Sequence, residues 1–388
     1  MHYHVSPHIE KVTFPPISEV KEWLAARPEG GPELIDLCQA VPDYALAPEL
    51  VNHLKGLLDD PQTSRYTPDE GLPEVRRAVC DRYVRRYAAK MEPDQLCLTV
   101  GASQAFWLAI MALCHAGDEV ILQAPCYFDH PMALESLKIR PVFAPFDEKR
   151  QGLPDPQAIS RLITPRTKAL LLVTPSNPTG TIIPPELLTE LYLLARKHRI
   201  ALILDETYAD FVAGQPHELF TIPDWHSTLV QIMSFGKTYA LTGYRAGLLA
   251  ASSELIRQAL KIQDSMVVCQ PRITQLALQY GVEKLDDWVE ANRLLMDFRH
   301  NLFVNAFTQP GNHFRLIASG SFFAWVRHPF SRLTGRQAAK KMLDEAGILC
   351  LGGEVFGPGL EGYLRLAFGN IRREIIPEAV KRFRSIQI

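Results

Sequence analysis

Between residues 96 and 252 the chain alternates short, uninterrupted apolar runs with helical patterns, and few folds accept that rhythm. "LCLTV" (96–100), "DEVILQA" (118–124), "RPVFAPF" (140–146), "KALLLVT" (168–174), "IALILD" (200–205), "LVQIMS" (229–234) and "AGLLAAS" (246–252) read as strands. Between them, "SQAFWLAIMALCHA" (103–116) reads as a buried helix and "PPELLTELYLLARKH" (184–198) as an amphipathic one opened by proline. Strands without a polar face need cover on both faces, which predicts an α/β fold with a mostly parallel sheet between helices. Such a sheet places ligands beyond the carboxyl ends of its strands, so the informative residues are expected just after each apolar run.

After about residue 285 the texture changes. A long charged helical pattern, "DDWVEANRLLMDFRHNLFVNAF", leads to "SGSFFAWV", a second helix, "ILCLGG" and "YLRLAF". This predicts a smaller α+β domain built from both chain ends. The expected division is 1–50 as an N-terminal segment joining the small domain, 51–285 as the large domain and 286–388 as the C-terminal small domain.

At 388 residues the chain is long enough for two domains, and its formal net charge of −2 gives no electrostatic reason for nucleic acid or an anionic membrane as partner. Seven scattered cysteines without a C-x-x-C fit reduced thiols in a cytoplasm rather than a disulfide framework. The opening "MHYHVSPHIEKVTF" lacks the basic segment and apolar run of a signal peptide, and no stretch has the length of a transmembrane helix. His2, His4 and His8 are metal-binding residue types, but no carboxylate or thiol is set beside them, so a solvated terminus explains them better.

"SFGKTYALTGYR" (234–245) contains the Gly-Lys-Thr that ends a phosphate-binding P-loop. That motif requires glycine at 231, where this chain has Gln231 inside a strand pattern, and the acidic strand "ALILDE" precedes the lysine instead of following it. The nucleotide reading fails, leaving Lys237 as a lysine at the end of a buried strand.

The other strand ends give it company. Asp205 closes a very apolar run, where a carboxylate needs a cation or donor to face it, and Tyr208 follows three residues later. "TPSNPTG" (174–180) offers the amide of Asn177, and "APCYFDH" (124–130) the ring of Tyr127. "VGASQA" (100–105) runs from strand through a glycine into a helix, where backbone N–H groups at Ala102 and Ser103 suit a phosphate. Lysine, ring anion, phenol donors, stacking face and phosphate cup are together what pyridoxal 5′-phosphate requires.

In the order "YTPDEGLPEVRRAV", "VGASQA", "PCYFDH", "TPSNPTG", "DETYAD", "SFGKTYALTGYRAG" and "GYLRLAFGN", from about residue 35 to 370, the chain resembles the class I/II aminotransferases. These are aspartate aminotransferase-like members of the fold-type-I pyridoxal-phosphate superfamily. The resemblance implies a seven-stranded sheet in the large domain and ping-pong transfer of an α-amino group from an amino acid to a 2-oxo acid. It implies that Lys237 forms a Schiff base and later shuttles the Cα proton, and that Asp205 pairs with the pyridinium nitrogen. Asn177 and Tyr208 would bond the phenolic oxygen, with Tyr127 stacked on the ring. Ala102, Ser103, Ser234 and Arg245 would hold the phosphate, joined by Tyr66 from the partner subunit of a homodimer. Arg365 would fork onto the substrate α-carboxylate, where the alternating "YLRLAF" also allows an edge-strand arginine in a surface ion pair.

Three positions depart from the family pattern: Ala40 in "LCQAVPDY" where glycine is frequent, Gly236 before the lysine, and Gly352 in "LGGEVFG". Ala40 is expected to add a methyl group over the substrate site, which points to unusual substrates. Within the same cofactor class the chemistry also allows β-elimination or coupling of the carbanion to oxygen. A non-catalytic sensor is the other alternative, disfavoured because no basic helix precedes the first motif. Arg272 reads as a solvated loop arginine, or as a contact for a second substrate carboxylate.

Overall fold

The structure is a computed structural model that describes residues 3–388. In chain order the strands are β1 (Ile35–Asp36), β2 (Leu96–Val100), β3 (Glu119–Gln123), β4 (Arg140–Ala144), β5 (Thr167–Val173), β6 (Ala201–Asp205) and β7 (Leu229–Ser234). They continue with β8 (Ala246–Ala250), β9 (Arg315–Gly320), β10 (Phe323–Arg327), β11 (Ile348–Leu349), β12 (Leu351–Gly352) and β13 (Tyr363–Ala367). Among the described residues the largest sheet has seven strands in the order β2-β8-β7-β6-β5-β3-β4. All its strands run parallel except β8, which is antiparallel to both neighbours. Every run read as a strand in the sequence is found in it.

Alternation along the strands explains the cover on both faces. Leu98, Leu170, Leu172, Leu202, Leu204 and Leu248 enter one buried cluster, while their neighbours Cys97, Ala169, Leu171, Ile203 and Leu249 enter another on the opposite face. The helix Gly101–Leu113 and the helix Asp129–Ser136 pack on the second face. The same alternation sends Asp205 toward that face and Glu206 toward the first.

A second, antiparallel sheet, β12-β13-β10-β9, is built from residues 315 onward. β1 pairs in parallel with β11, so the chain's first strand is tied to its last hundred residues. The two sheets meet at a close backbone crossing. A Cβ on Gly180 would stand 2.3 Å from the backbone nitrogen of Gly320, so the "NPTG" turn rests directly on the end of β9.

Candidate active site

Register alone brings the candidate residues together. Val173 pairs with Asp205, and β7 ends two residues beyond the partner of Asp205, at Ser234. Val100 pairs with Ala246, which sets Gly101 beside Arg245. Gly101 has φ +78°, and a Cβ there would lie 2.3 Å from Arg245 Nη2, so only glycine lets the guanidinium cross this turn unhindered. The N-cap of the Gly101–Leu113 helix, Val100, has no side chain able to cap it, and the first-turn residues Ala102 and Ser103 line the cavity.

The cavity, about 210 Å³, is lined by Ala40, Ala102, Ser103, Tyr127, Asn177, Asp205, Tyr208, Ser234, Lys237, Arg245 and Arg365. These are all the residues expected at a site within one chain. Tyr66 is elsewhere: it is 79% exposed and does not line this cavity. Arg272 does not line it either. Among the described residues no group of three or more ligating side chains could hold a metal ion, and His2 lies outside them.

Lys237 sits in the four-residue helix Phe235–Thr238 that follows β7, and its Nζ donates to the carbonyl of Ala40 at 2.8 Å. Burial, with the nearby guanidiniums of Arg245 and Arg365, pulls its amine down to about 8. A lysine so placed is a usable base near neutral pH. Its turn is anchored from below: Thr238 Oγ1 donates to Asp210 Oδ2 at 2.6 Å, and Arg82 holds the other carboxylate oxygen. Burial alone would raise the Asp210 carboxyl, but Arg82, Arg86 and the Thr238 hydroxyl outweigh it and hold the group below its usual value.

Asp205 is 5% exposed; its Oδ1 accepts from the Thr207 backbone at 3.0 Å and its Oδ2 lies 3.3 Å from His130 Nε2. His130 is fixed between the rings of Phe106 and Tyr127. Burial, and the Asp205 carboxylate, push the Tyr208 phenol up, so it remains a hydroxyl and a donor. Tyr127 donates to Asp129 at 2.6 Å.

Arg365 is 1% exposed on β13, an interior strand of its sheet. It donates to the Cys38 carbonyl and, at 3.4 Å, to Asn177 Oδ1, while its Nε has no partner. Its guanidinium lies over the rings of Phe323 and Phe356. No carboxylate pairs with it among the described residues, which rules out the surface ion pair. A buried cation without a counter-ion is an anion site.

Sequence reasoning missed His130 and the Arg82–Asp210–Thr238 anchor. His130 was within sight, three residues after Tyr127, in the first turn of the helix Asp129–Ser136 that follows β3. The anchor joins residues 128 and 28 positions apart, and no local pattern announces it.

The donor set fits pyridoxal phosphate: an uncapped helix start beside Arg245 and Ser234 for its phosphate, a buried carboxylate for its ring nitrogen, and a depressed lysine for its aldehyde. Comparison with known proteins agrees. Residues 32–383 match the family "Aminotransferase class I and II". An aspartate aminotransferase of Pyrococcus horikoshii is 26% identical, over 96% of this chain and 95% of its own. The aromatic aminotransferase ISS1 of Arabidopsis thaliana is 28% identical, over 90% and 89%. The aspartate aminotransferase of Thermus thermophilus, solved with maleate, superposes with a TM-score of 0.90 at 25% identity, covering 98% of this chain and 99% of that one. With nearly the whole chain matched, this protein belongs to the class I and II aminotransferases and is a pyridoxal-phosphate-dependent transaminase of amino acids and 2-oxo acids.

Proposed function

We propose that the residues of this cavity divide the work of transamination as follows. Pyridoxal phosphate, when bound, supplies an aldehyde and an electron-withdrawing ring that make the Cα proton of an amino acid removable. Arg365 holds the α-carboxylate in its fork and so fixes which face of Cα meets Lys237. Lys237 Nζ takes the Cα proton and returns it, which requires the neutral amine that burial and two guanidiniums favour. Asp205 keeps a proton at the ring nitrogen, and His130 fixes that carboxylate from behind. Asn177 and Tyr208 hold the phenolic oxygen, Tyr127 covers the ring, and Ala102, Ser103, Ser234 and Arg245 hold the phosphate. Ala40 meets the substrate through its methyl group and tethers Lys237 through its carbonyl.

The observation that carries this reading is a base-poised lysine and an unpaired buried arginine on the walls of one cavity. We further infer a large domain of 51–285, a small domain of 286–388 joined by 1–50, and a homodimer in which exposed Tyr66 reaches the partner's phosphate site. Free cysteines throughout support a reducing, cytoplasmic setting, and no helix among the described residues is long and apolar enough to cross a membrane.

The test is the absorbance of the purified protein and of Lys237→Ala, each with pyridoxal phosphate, followed by amino acids without any oxo acid. A lysine-dependent band that bleaches with stoichiometric release of oxo acid supports the roles. A band unaffected by Lys237→Ala sinks them. For the dimer, mixing Lys237→Ala with Tyr66→Ala protein should restore activity above either alone. Sedimentation as a monomer under assay conditions would refute it.

A further inference from the structure

The cation inventory of the cavity bears on which amino acids it takes, given the transaminase reading above. Among the described residues its wall carries Lys237, Arg245 and Arg365 as lysine or arginine, and His130 as the one histidine. Three are occupied: Lys237 with the proton, Arg245 at the helix start beside Gly101, and His130 on Asp205. Of the cations this chain brings to the cavity, Arg365 alone is left for a substrate anion, and one guanidinium fork takes one carboxylate.

A second carboxylate, on a substrate side chain, finds no further cation on this chain's wall. The charges remaining on the wall are the acids Asp129 and Asp205, which repel it. Beside Arg365 the wall carries a group of apolar side chains instead. Phe356, beneath the guanidinium, packs on Phe128 at 5.9 Å between ring centroids, and Ile17 and Tyr127 join the same cluster. Ile17, in the first turn of the helix Pro16–Ala25, and Phe128 both line the cavity, as do Val41 and Trp107.

We propose that the substrate side chain is apolar, branched-aliphatic or aromatic, and is held by Ile17, Val41, Trp107 and Phe128, while dicarboxylic amino acids are poor substrates. A hydrophobic wall gains from each buried methylene and rejects a bare charge.

The experiment compares leucine, phenylalanine, aspartate and glutamate as donors to the holoenzyme, with released oxo acid measured directly. Leucine or phenylalanine is expected to exceed aspartate and glutamate in kcat/KM by about 100-fold or more. Aspartate or glutamate equalling them overturns the proposal and leaves transamination standing. Release from none of the four, while another amino acid bleaches the lysine-dependent band, overturns the proposal; bleaching by no amino acid at all overturns the transaminase reading instead. Calorimetric binding of 4-methylpentanoate against maleate needs no turnover and decides the subsite in either case. The monocarboxylate is expected to bind at least about tenfold tighter, and tighter maleate binding overturns the proposal. As a gain-of-function arm, Ile17→Arg is expected to shift the aspartate-to-leucine ratio of kcat/KM by about tenfold toward aspartate. An unchanged ratio counts against the apolar wall.

Discussion

Replacing Arg365 by lysine keeps the charge and removes the fork, and the structure sets the size of the effect. The guanidinium is positioned by the Cys38 carbonyl and Asn177 Oδ1, with Nε unpartnered. A carboxylate arriving there meets two donors held in one plane, on a side chain already clamped over Phe323 and Phe356. Lysine offers a single flexible point charge and makes one of the two charge-assisted bonds. Losing the other costs about 1.5–3 kcal/mol, or about a 10- to 150-fold drop in kcat/KM. The drop should appear for both amino acid and 2-oxo acid, because both bring the same carboxylate to the same place. Steady-state kinetics in each direction, with cofactor titration as a control, measures it. If KM and kcat/KM for both substrates were unchanged while the protein remained folded and loaded, Arg365 would not be the carboxylate site.

Three other outcomes are expected. In the apoprotein, Lys237 should react with an amine-directed reagent at a rate rising through a midpoint near 8, read by peptide mapping across pH; an ordinary lysine midpoint above 10 would contradict its burial. The sign for stability follows: the unfolded chain holds more protons between about 8 and the ordinary value of 10.5, so this group makes folding more favourable as pH rises through that window. Thr238→Val removes the hydroxyl that donates to buried Asp210 and should destabilise the protein by about 2 kcal/mol in urea unfolding, with kcat falling as the Lys237 turn loosens. An unchanged unfolding midpoint would show that Arg82 suffices. Gly101→Ala must hold a positive φ and displace the Arg245 guanidinium, so pyridoxal phosphate binding, followed by absorbance, should weaken about tenfold or more.

The large sheet was legible because its strands are apolar on both faces and short, and because the chemistry stands where each run stops. Lys237 and Asn177 each follow a buried strand within a few residues and Asp205 ends one, so a one-dimensional pattern already orders them along one sheet edge. The antiparallel insertion of β8 was not legible, since "AGLLAAS" is as apolar as its parallel neighbours and direction depends on the connection before it. The fate of Arg365 was also open. The pattern L-R-L fits an edge strand facing water as well as an interior strand, and only the pairing of β13 with both β12 and β10 decides for burial.

What the sequence withheld are contacts between elements far apart in the chain, and these give the cavity its chemistry. Alternation sends Asp205 to one face of the sheet and Glu206 to the other, but it cannot say what awaits each. Asp205 meets His130 from the helix after β3, and Glu206 meets Tyr87 and His217 on the opposite side. Two adjacent carboxylates thereby acquire different work, one at the cavity and one in a buried polar network that packs the sheet to its neighbours. Lys237 shows the same division, since its neighbour Thr238 reaches down to Asp210 while its own amine reaches up to the carbonyl of Ala40. That carbonyl precedes Val41 on the apolar side of the cavity, so the loop that steadies the base also shapes the wall a substrate side chain meets. Changes at 40 and 41 should therefore move the proton-transfer rate and the substrate preference together, whereas changes at Ile17 should move preference alone.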